Sequence, residues 1–240
     1  MKHLNGKVAI VTGSSGGIGK AIALRLGEEG IKIVVAARRL SLCNTVRDQI
    51  LSQGGEAVAI QTDISDQTQV DKLIDETIRH FNQLDILVNN AGIGGGAQIS
   101  ETSTETFDQV INTNLRGTFF CCRAGFQRMR NQGSGGIIIN VSSVCGVDAW
   151  SGTGSYSASK YGVMGITKAL ADEGRDHKIK ASAICPGGVA SSLVDRPAEE
   201  IEASGAISPY DIAETVIYLA ALSSNTVVHQ VIVDRIGAEW

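Results

Sequence analysis

Short apolar runs alternate with helical patterns along the whole of this 240-residue chain. The runs lie at residues 8–11, 33–36, 57–60, 86–88, 137–139, 181–184 and 227–233. Between most of them, apolar residues recur at the spacing of one helix face. Strands that are apolar throughout are typical of a sheet buried on both sides. This alternation therefore predicts an α/β fold in which helices cover both faces of a parallel sheet.

The composition fits one large globular domain spanning residues 1–240. The chain is 43% hydrophobic and 19% charged, which suffices for a substantial core. The net charge of -4, with mixed signs, does not favour a nucleic-acid-binding surface. No apolar run approaches the roughly 20 residues of a membrane span, and the first residues lead directly into a strand pattern. We therefore expect a cytoplasmic protein that uses neither membrane nor nucleic acid as a partner.

The cysteines and histidines do not form a recognisable metal or disulfide motif. The five cysteines include no Cys-x-x-Cys pair, and the four histidines are scattered along the chain. Reduced thiols in the core are the expectation for such a protein, and we predict no metal site.

A glycine-rich turn follows the first apolar run. Gly13, Gly17 and Gly19 stand in a Gly-x-x-x-Gly-x-Gly pattern, with Ser15 and Ile18 between them, before a helical pattern. A turn of this kind lets the backbone approach a ligand, and the free amides of the helix start can hold a pyrophosphate. The alternative is a plain strand–helix connection. The position of the turn after the first strand favours a dinucleotide site.

The end of the second apolar run bears on the type of dinucleotide. Folds that bind NAD place an acidic residue there to contact the ribose 2′-hydroxyl. This chain has Ala37, Arg38 and Arg39 instead. A guanidinium matches a 2′-phosphate, and Ala37 has no carboxylate to repel it. We predict NADP(H) rather than NAD(H), with a pair of exposed surface arginines as the alternative.

Two further strand ends carry polar residues. Asp63 and Ile64 follow the third run, where a parallel sheet places ligand contacts, and Asp63 could bind an adenine amine or simply begin a turn. Residues 89–92 follow the fourth run and could line a cofactor or form an ordinary turn.

Tyr156 and Lys160 form the most reactive combination in the chain. Residues four apart on a helix share one face, so the phenol and the ammonium should point the same way. A free tyrosine has a pKa of about 10. A nearby cation favours the phenolate, so we expect Lys160 to lower the pKa of Tyr156 towards the working range of an acid–base catalyst. A shared solvated helix face is the alternative.

Taken together, these segments resemble the short-chain dehydrogenase/reductase family, in the broad branch of the 3-oxoacyl-[acyl-carrier-protein] reductases. The similarity spans about residues 6–234. Its motifs, in the family's order, are the turn at 12–19, Asn89-Asn90-Ala91-Gly92, Asn114, Ser143, Tyr156-x-x-x-Lys160 and Pro186-Gly187. The resemblance implies a single Rossmann-type domain with a doubly wound seven-stranded parallel sheet, and NAD(P)-dependent oxidoreduction.

The resemblance also implies roles for four catalytic residues. Tyr156 would be the general acid that protonates a carbonyl oxygen as hydride arrives. Lys160 would tune that tyrosine and bind the nicotinamide ribose. Ser143 would hold the carbonyl oxygen. Asn114 would kink its helix and anchor a water in a proton relay.

The implied cofactor site is larger. It comprises Gly13, Ser15, Gly17, Ile18, Gly19, Arg38, Arg39, Asp63, Ile64, Asn90, Ala91, Gly92, Tyr156, Lys160, Pro186, Gly187, Val189 and Ser191. Ser191 stands where many members of the family carry threonine, and it keeps the hydroxyl.

The substrate is less constrained by the sequence. The pocket should be formed by residues 93–100, 144–154 and 190–206, with a short, acidic substrate-loop segment at about 190–207. Trp150 could stack on a ring or lie at a surface or interface. The loop and the C-terminal residues depart from the acyl-carrier-protein reductases. We expect a small or medium carbonyl or alcohol substrate.

The sequence also bears on the assembly of the chain and on alternative functions. The resemblance implies a homotetramer built through helices at about 104–129 and 154–174. The alternative function is a non-catalytic dinucleotide-binding redox regulator on the same fold, which would have no need of the four catalytic side chains. Epimerase or dehydratase chemistry on nucleotide sugars is disfavoured by the glycine spacing and by the lack of a C-terminal substrate domain.

Overall fold

The fold is built on a sheet of seven strands, seen in a computed structural model that describes residues 4–190 and 205–237. The strands are β1 Val8–Thr12, β2 Lys32–Ala37, β3 Ala57–Gln61, β4 Ile86–Asn89, β5 Gly136–Val141, β6 Ile179–Pro186 and β7 Gln230–Val233. All seven run parallel, in the order β3-β2-β1-β4-β5-β6-β7. The α/β fold with a doubly wound seven-stranded sheet is therefore confirmed.

The order of the strands determines where a ligand can bind. The chain first moves outwards from β1 to β3, then crosses back to place β4 against the other side of β1. The loops after β1 and β4 consequently leave the sheet in opposite directions. A cleft opens between them at the carboxyl ends of the strands, which is the usual ligand position in such sheets.

Helices cover both faces of the sheet. They are α1 Gly17–Glu28, α2 Leu40–Ser52, α3 Gln67–Phe81, α4 Thr104–Val110, α5 Thr118–Gln132, α6 Gly154–Glu173 and α7 Pro209–Ala221. Short 3-10 turns lie at Ile99–Glu101, Val144–Gly146 and Arg175–His177.

The core has two layers because alternate residues of each strand point to opposite faces. On one face, Ile33 and Val35 pack with the apolar sides of α1, α2 and α7. On the other, Ile10 and Val34 pack with residues of α3, α5 and α6. All five residues of β1 are buried, as the apolar run predicts. The five cysteines are also buried and free.

Two elements differ from the sequence prediction. The long helix expected at 104–129 is interrupted by a π-helical segment, Ile111–Gly117, between α4 and α5. The last strand begins at Gln230 rather than at residue 227. Its pairing with β6 starts at Ala183 and Gln230, and the preceding residues lead from α7 back to the sheet.

A parallel bridge between Val189 and Ile207 frames the predicted substrate loop. The Ala190 amide donates to the Ile207 carbonyl at 2.9 Å, and the Ile207 amide donates to the Gly188 carbonyl at 2.9 Å. Most of the predicted loop, including Ser191 and Leu193, lies outside the described residues.

Candidate active site

A cavity of about 490 Å³ opens at the carboxyl edge of the sheet. It extends from the glycine turn after β1 to the first turn of α6. Its walls include most of the residues predicted to bind a cofactor: Gly13, Ser15, Gly17, Ile18, Arg38, Arg39, Asp63, Ile64, Asn90, Ala91, Gly92, Tyr156, Lys160, Pro186, Gly187 and Val189. The structure therefore brings together, in one cavity, segments that are far apart in the sequence.

The glycine turn depends on backbone conformations that favour glycine. Gly13 has φ +65 and Gly17 has φ +52, in the left-handed region. Helix α1 begins at Gly17, so its unpaired amides face the cavity. The Ser14 hydroxyl fixes the turn by donating to the Val11 carbonyl at 2.7 Å and accepting from the Ala36 amide at 3.0 Å. The result is a rigid anion-binding surface.

Gly19 has a packing role instead of lining the cavity. A side chain at Gly19 would collide with the Asn90 side chain and the Gly13 carbonyl. Gly13 is equally confined, since a Cβ there would lie 2.7 Å from the Cα of Ala91. These glycines therefore let the turn pack directly against the end of β4.

Thr12 connects the two sides of the cleft. Its hydroxyl accepts hydrogen bonds from the amides of Asn90 and Ala91, each at 3.1 Å, and donates to the Val88 carbonyl at 3.4 Å. The Asn90 side-chain amide donates back to the Thr12 carbonyl at 3.0 Å. The turn after β1 and the end of β4 are thereby held in a fixed position relative to each other.

The two arginines lie at the end of β2 beside the glycine turn. Arg38 and Arg39 are exposed at the cavity wall, next to the apolar Ala37. The Arg39 guanidinium lies 3.4 Å from the Ser15 hydroxyl. Two cations are therefore available to an anionic group at this end of the cavity.

Asp63 forms a turn at the end of β3. One of its carboxylate oxygens accepts from the Ser65 amide at 3.0 Å and from the Ser65 hydroxyl at 2.7 Å. Of the two interpretations left open by the sequence, the turn is what the structure describes. Asp63 also lines the cavity, so contact with an adenine stays a prediction.

Asn114 lies in the π-helical segment, almost completely buried. Its side-chain oxygen accepts from the Ile93 amide at 2.8 Å, and its nitrogen donates to the Ile93 carbonyl at 2.9 Å and to the Ser159 hydroxyl at 3.2 Å. The Ser159 hydroxyl in turn donates to the Tyr156 carbonyl at 2.6 Å. Asn114 thus connects the loop after β4 to the catalytic turn of α6. The wider helical turn accommodates this inward side chain.

Ser143 lies just behind the cavity wall, at the end of β5. Its hydroxyl accepts from the Cys145 amide at 3.1 Å and lies 3.5 Å from the Pro186 carbonyl. It also hydrogen-bonds with Tyr156. Neither Ser143 nor Asn114 lines the cavity itself, whereas the neighbouring Ser142 does.

The pKa of Tyr156 departs from the expectation. Burial raises it to about 12, although the hydrogen bond with Ser143 lowers it. The Lys160 ammonium lies 5.6 Å from the centre of the tyrosine ring. The predicted lowering of the Tyr156 pKa by Lys160 is therefore not what the structure gives, because burial of the phenol is the largest cause and Lys160 is not among the groups that shift this pKa. A phenol with this pKa keeps its proton at neutral pH.

Lys160 is buried, and burial lowers its pKa to about 8. Its ammonium donates to the Val141 carbonyl at 3.0 Å. A Cβ on Gly92 would lie 3.7 Å from the Lys160 nitrogen and 3.2 Å from the Asn114 side-chain oxygen. Glycine at position 92 therefore leaves the ammonium open to the cavity.

Several residues of the site escaped the sequence analysis. The unassigned residues that line the cavity are Thr62, Thr113, Val141, Ser142 and Gly188, whereas Gly16, Ala37 and Ile93, which also line it, lie in segments that the sequence had indicated. Thr62 and Ser142 directly follow β3 and β5, within three residues of the apolar runs at 57–60 and 137–139, a position that could have identified them. Thr113 could not have been found this way, because its orientation depends on the π-helical segment.

Comparisons with known proteins identify the family of this chain. A family model described as short chain dehydrogenase matches residues 7–202. The chain belongs to the short-chain dehydrogenase family. As an oxidoreductase of this family, it uses a nicotinamide dinucleotide cofactor, and the family acts on small-molecule substrates.

Individual relatives cover nearly the whole chain. A 3-oxoacyl-[acyl-carrier-protein] reductase of Synechocystis sp. is 38% identical, over 92% of this chain and 91% of the relative. A short-chain type dehydrogenase/reductase from Mycobacterium marinum has a TM-score of 0.90 at 32% identity, covering 96% of this chain and 95% of its own. An alcohol dehydrogenase from Thermococcus sibiricus, complexed with 5-hydroxy-NADP, has a TM-score of 0.87 at 26% identity and covers 97% and 98%.

Neither a membrane span nor a metal cluster is found in the part of the chain that the structure describes. None of its helices combines the length and apolar character needed to cross a bilayer. Within residues 4–190 and 205–237, His, Cys, Asp and Glu side chains form no group that could hold a metal ion.

Proposed function

We propose that this short-chain dehydrogenase is an NADP(H)-dependent reductase that converts a carbonyl to a secondary alcohol, with Tyr156 as the proton donor. One observation carries the proposal. A single cavity holds the glycine turn and Arg38 at one end and the Tyr156–Lys160 pair at the other. That is the arrangement needed to bind a dinucleotide by its phosphates and present its reactive ring to a proton donor.

The residues present fit such a cofactor. The amides at the start of α1 suit the pyrophosphate, Asn90 and Gly92 form the middle of the wall, and Pro186 and Val189 form its far end. Bound there, a reduced nicotinamide supplies a hydride. A buried ammonium that reaches the cavity beside Gly92 suits the ribose hydroxyls.

The chain's own residues then perform the proton chemistry. The phenol of Tyr156, whose raised pKa keeps it protonated, donates its proton to the oxygen of the carbonyl substrate. Ser143, hydrogen-bonded to the same phenol, orients that oxygen and stabilises its developing charge. Lys160 remains largely cationic at neutral pH and stabilises the phenolate that forms after proton transfer.

Asn114 acts by positioning. Its amide is committed to Ile93 and Ser159, which fixes the wall opposite Lys160. The predicted water between Asn114 and Lys160 remains part of this proposal.

The preference for NADP(H) is proposed from the charge at the end of β2. Arg38 and Arg39 can pair with a 2′-phosphate, and the adjacent Ala37 has no carboxylate that would repel it. The Thermococcus sibiricus relative, whose structure holds a derivative of NADP, supports this preference.

The substrate class is proposed as a small or medium ketone, aldehyde or 3-oxoacyl thioester. The Synechocystis relative supports the thioester as one member of the test panel. NADPH consumption with this panel, followed at its absorbance band, tests the activity. Absence of NADPH oxidation with every member, and of NADP⁺ reduction with the matching alcohols, would refute the proposal.

Tyr156→Phe tests the mechanism because it removes only the hydroxyl. We expect kcat to fall by a factor of about 10³ while NADPH binding, measured by calorimetry, persists. Tyr161→Phe, on the exposed face of the same helix, is the matched control and should leave kcat unchanged. Full activity of Tyr156→Phe would refute the assigned role. A cellular function that survives this substitution would favour the redox-regulator alternative.

Arg38→Asp tests the cofactor preference. It replaces a cation that attracts the 2′-phosphate by an acid that repels it, and we expect the ratio of kcat/KM for NADPH over NADH to fall about 100-fold, the sum of the lost attraction and the added repulsion. Arg130→Asp makes the same charge change at an exposed position at the end of α5 and serves as the control. An unchanged ratio for Arg38→Asp would refute the 2′-phosphate assignment.

We also propose a cytoplasmic homotetramer. Phe107, Phe119 and Tyr161 are exposed on α4, α5 and α6, the helices expected to form its contacts. Cys121 and Phe120 of α5 are instead buried in the core. Light scattering of the purified chain determines the assembly directly, and a monomer would refute this part.

A further inference from the structure

Two large apolar side chains stand exposed on the substrate side of the catalytic turn. Trp150 is 54% exposed and Ile99 is 83% exposed. Trp150 lies in the loop after β5 and Ile99 in the loop after β4, so both project from the carboxyl edge of the sheet. We call these two residues the apolar rim. Neither residue lines the cavity itself, but the loops that carry them start from residues of its wall, Ile93 and Ser142. Apolar side chains at the edge of a pocket are well placed to contact a bound ligand.

The loop that carries Trp150 is rigidly attached to the catalytic helix. The Thr153 hydroxyl donates to the Trp150 carbonyl at 2.7 Å and accepts from the Trp150 amide at 3.2 Å. The Ser157 hydroxyl donates to Thr153 at 2.9 Å, and the Ser157 amide donates to the Thr153 carbonyl at 2.7 Å. Ser157 follows Tyr156 directly, so the position of Trp150 is fixed relative to the proton donor.

The second loop is joined to the first. A Cβ on Gly154 would lie 2.8 Å from a side-chain carbon of Ile99, so Ile99 packs directly over the start of α6. A Cβ on Gly96 would lie 3.5 Å from the Gly152 carbonyl, and the Ser155 hydroxyl donates to the Gly95 carbonyl at 3.2 Å. The two loops therefore act as one support, and Ile93, where the second loop begins, lines the cavity.

We propose that the apolar rim binds a planar, apolar ring of the substrate, fused or attached to the carbonyl that Tyr156 protonates. The backbone of Trp150 is held by the hydrogen bonds to Thr153, so a ligand that stacks on the flat indole has only the two side-chain torsions of the tryptophan to order. Ile99 supplies an aliphatic second wall. The substrate class is thus a bicyclic or aryl ketone. This assignment rests on the proposed reductase function.

A pair of ketones isolates the contribution of the ring. 2-Tetralone equals cyclohexanone with a fused benzene ring, so the two share the reacting carbonyl and differ in the part that the rim should bind. We expect Trp150→Ala to raise KM for 2-tetralone about tenfold and to leave KM for cyclohexanone unchanged. Trp150→Phe keeps an aromatic ring, so its KM for 2-tetralone should lie close to the wild-type value. Tyr218→Ala removes an equally exposed aromatic from α7 and is the control.

A binding measurement separates this inference from the proposed function. The chain has two tryptophans, so Trp240→Phe leaves Trp150 as the sole tryptophan fluorophore. With NADP⁺ present no hydride is available, and 2-tetralone should quench the emission saturably while cyclohexanone should not. If 2-tetralone quenches the emission saturably but the wild-type chain turns over no ketone, the result would support ring binding by the apolar rim and refute the proposed reductase activity.

Two results would overturn the inference while the reductase stands. One is turnover of 2-tetralone with an unchanged KM in Trp150→Ala and no saturable quenching. The other is a Trp150→Ala chain that changes its assembly in light scattering and shifts both KM values equally, which would make Trp150 a contact between copies of the chain.

Discussion

Replacing Lys160 should stabilise the folded chain. Lys160 is buried, and the loss of water lowers the pKa of its ammonium from 10.5 to about 8. Each pKa unit corresponds to about 1.4 kcal/mol, so holding the charge in the core costs about 3 kcal/mol of folding free energy. Lys160→Met removes that cost and keeps the apolar stem. The variant also loses the hydrogen bond to the Val141 carbonyl, and this loss offsets about 1 kcal/mol of the gain in stability.

The lowered pKa of Lys160 also determines how the stability difference between the two chains changes with pH. Below about pH 8 both the folded and unfolded chains carry the Lys160 proton, and the full cost is present. Between that pH and 10.5 the unfolded chain binds more protons, so the stability of the wild-type protein rises with pH through this group. The advantage of Lys160→Met should therefore be about 2 kcal/mol near about pH 7 and smaller by about 1 kcal/mol near about pH 9.

Urea unfolding of the wild-type and variant chains at both pH values measures the difference. Taking the difference cancels the contributions of groups common to both chains, including Tyr156. Lys168→Met, at an exposed position of the same helix, is the control and should change the free energy of unfolding by less than about 0.5 kcal/mol. A Lys160→Met chain that is less stable than the wild type, or whose difference does not change with pH, would refute the reasoning.

Three further substitutions test the framework of the site by urea unfolding and NADPH calorimetry. Gly13→Ala should destabilise the chain by about 2 kcal/mol and weaken NADPH binding, because φ is +65 and the new Cβ would lie 2.7 Å from the Ala91 Cα. Ser159→Ala should cost about 1–2 kcal/mol and lower kcat, because it removes a buried partner of Asn114. Ser208→Ala should cost about 1 kcal/mol and leave kcat unchanged, because it removes only the cap of α7, where the hydroxyl accepts from the Tyr210 amide at 3.2 Å.

Each of these has an outcome that contradicts it. Wild-type stability of Gly13→Ala would mean that the turn tolerates a side chain. A Ser159→Ala chain with normal kcat would show that Asn114 is held by Ile93 alone. A reduced kcat in Ser208→Ala would contradict the expectation that the cap of α7 affects stability alone.

The sheet and the cofactor cavity were largely predictable from the sequence. Strands buried on both faces are apolar throughout, so their number and order along the chain could be deduced. Residues at their carboxyl ends converge in any such sheet, which is why Gly13, Arg38 and Tyr156 were assigned to one site before their contacts were known.

Other features depend on contacts that no local pattern contains. The π-helical segment around Asn114 arises because that side chain bonds to Ile93 and Ser159, both distant in sequence. Thr12 bridges to Asn90 across the cleft for the same reason. The direction of the Tyr156 pKa was predicted wrongly because a charge four residues away is visible in the sequence, whereas the loss of water around a side chain is not.

The bridge between Val189 and Ile207 has a consequence for how this chain can change over time. These two residues are paired in the structure although residues 190–206 separate them in the sequence. Doubling the length of a closed segment adds only about 0.6 kcal/mol of closure entropy. Insertions, deletions or grafts between Val189 and Ile207 should therefore leave the sheet and the cavity intact. Under the proposed function, new substrate preferences can be acquired between these two positions without any change at Tyr156.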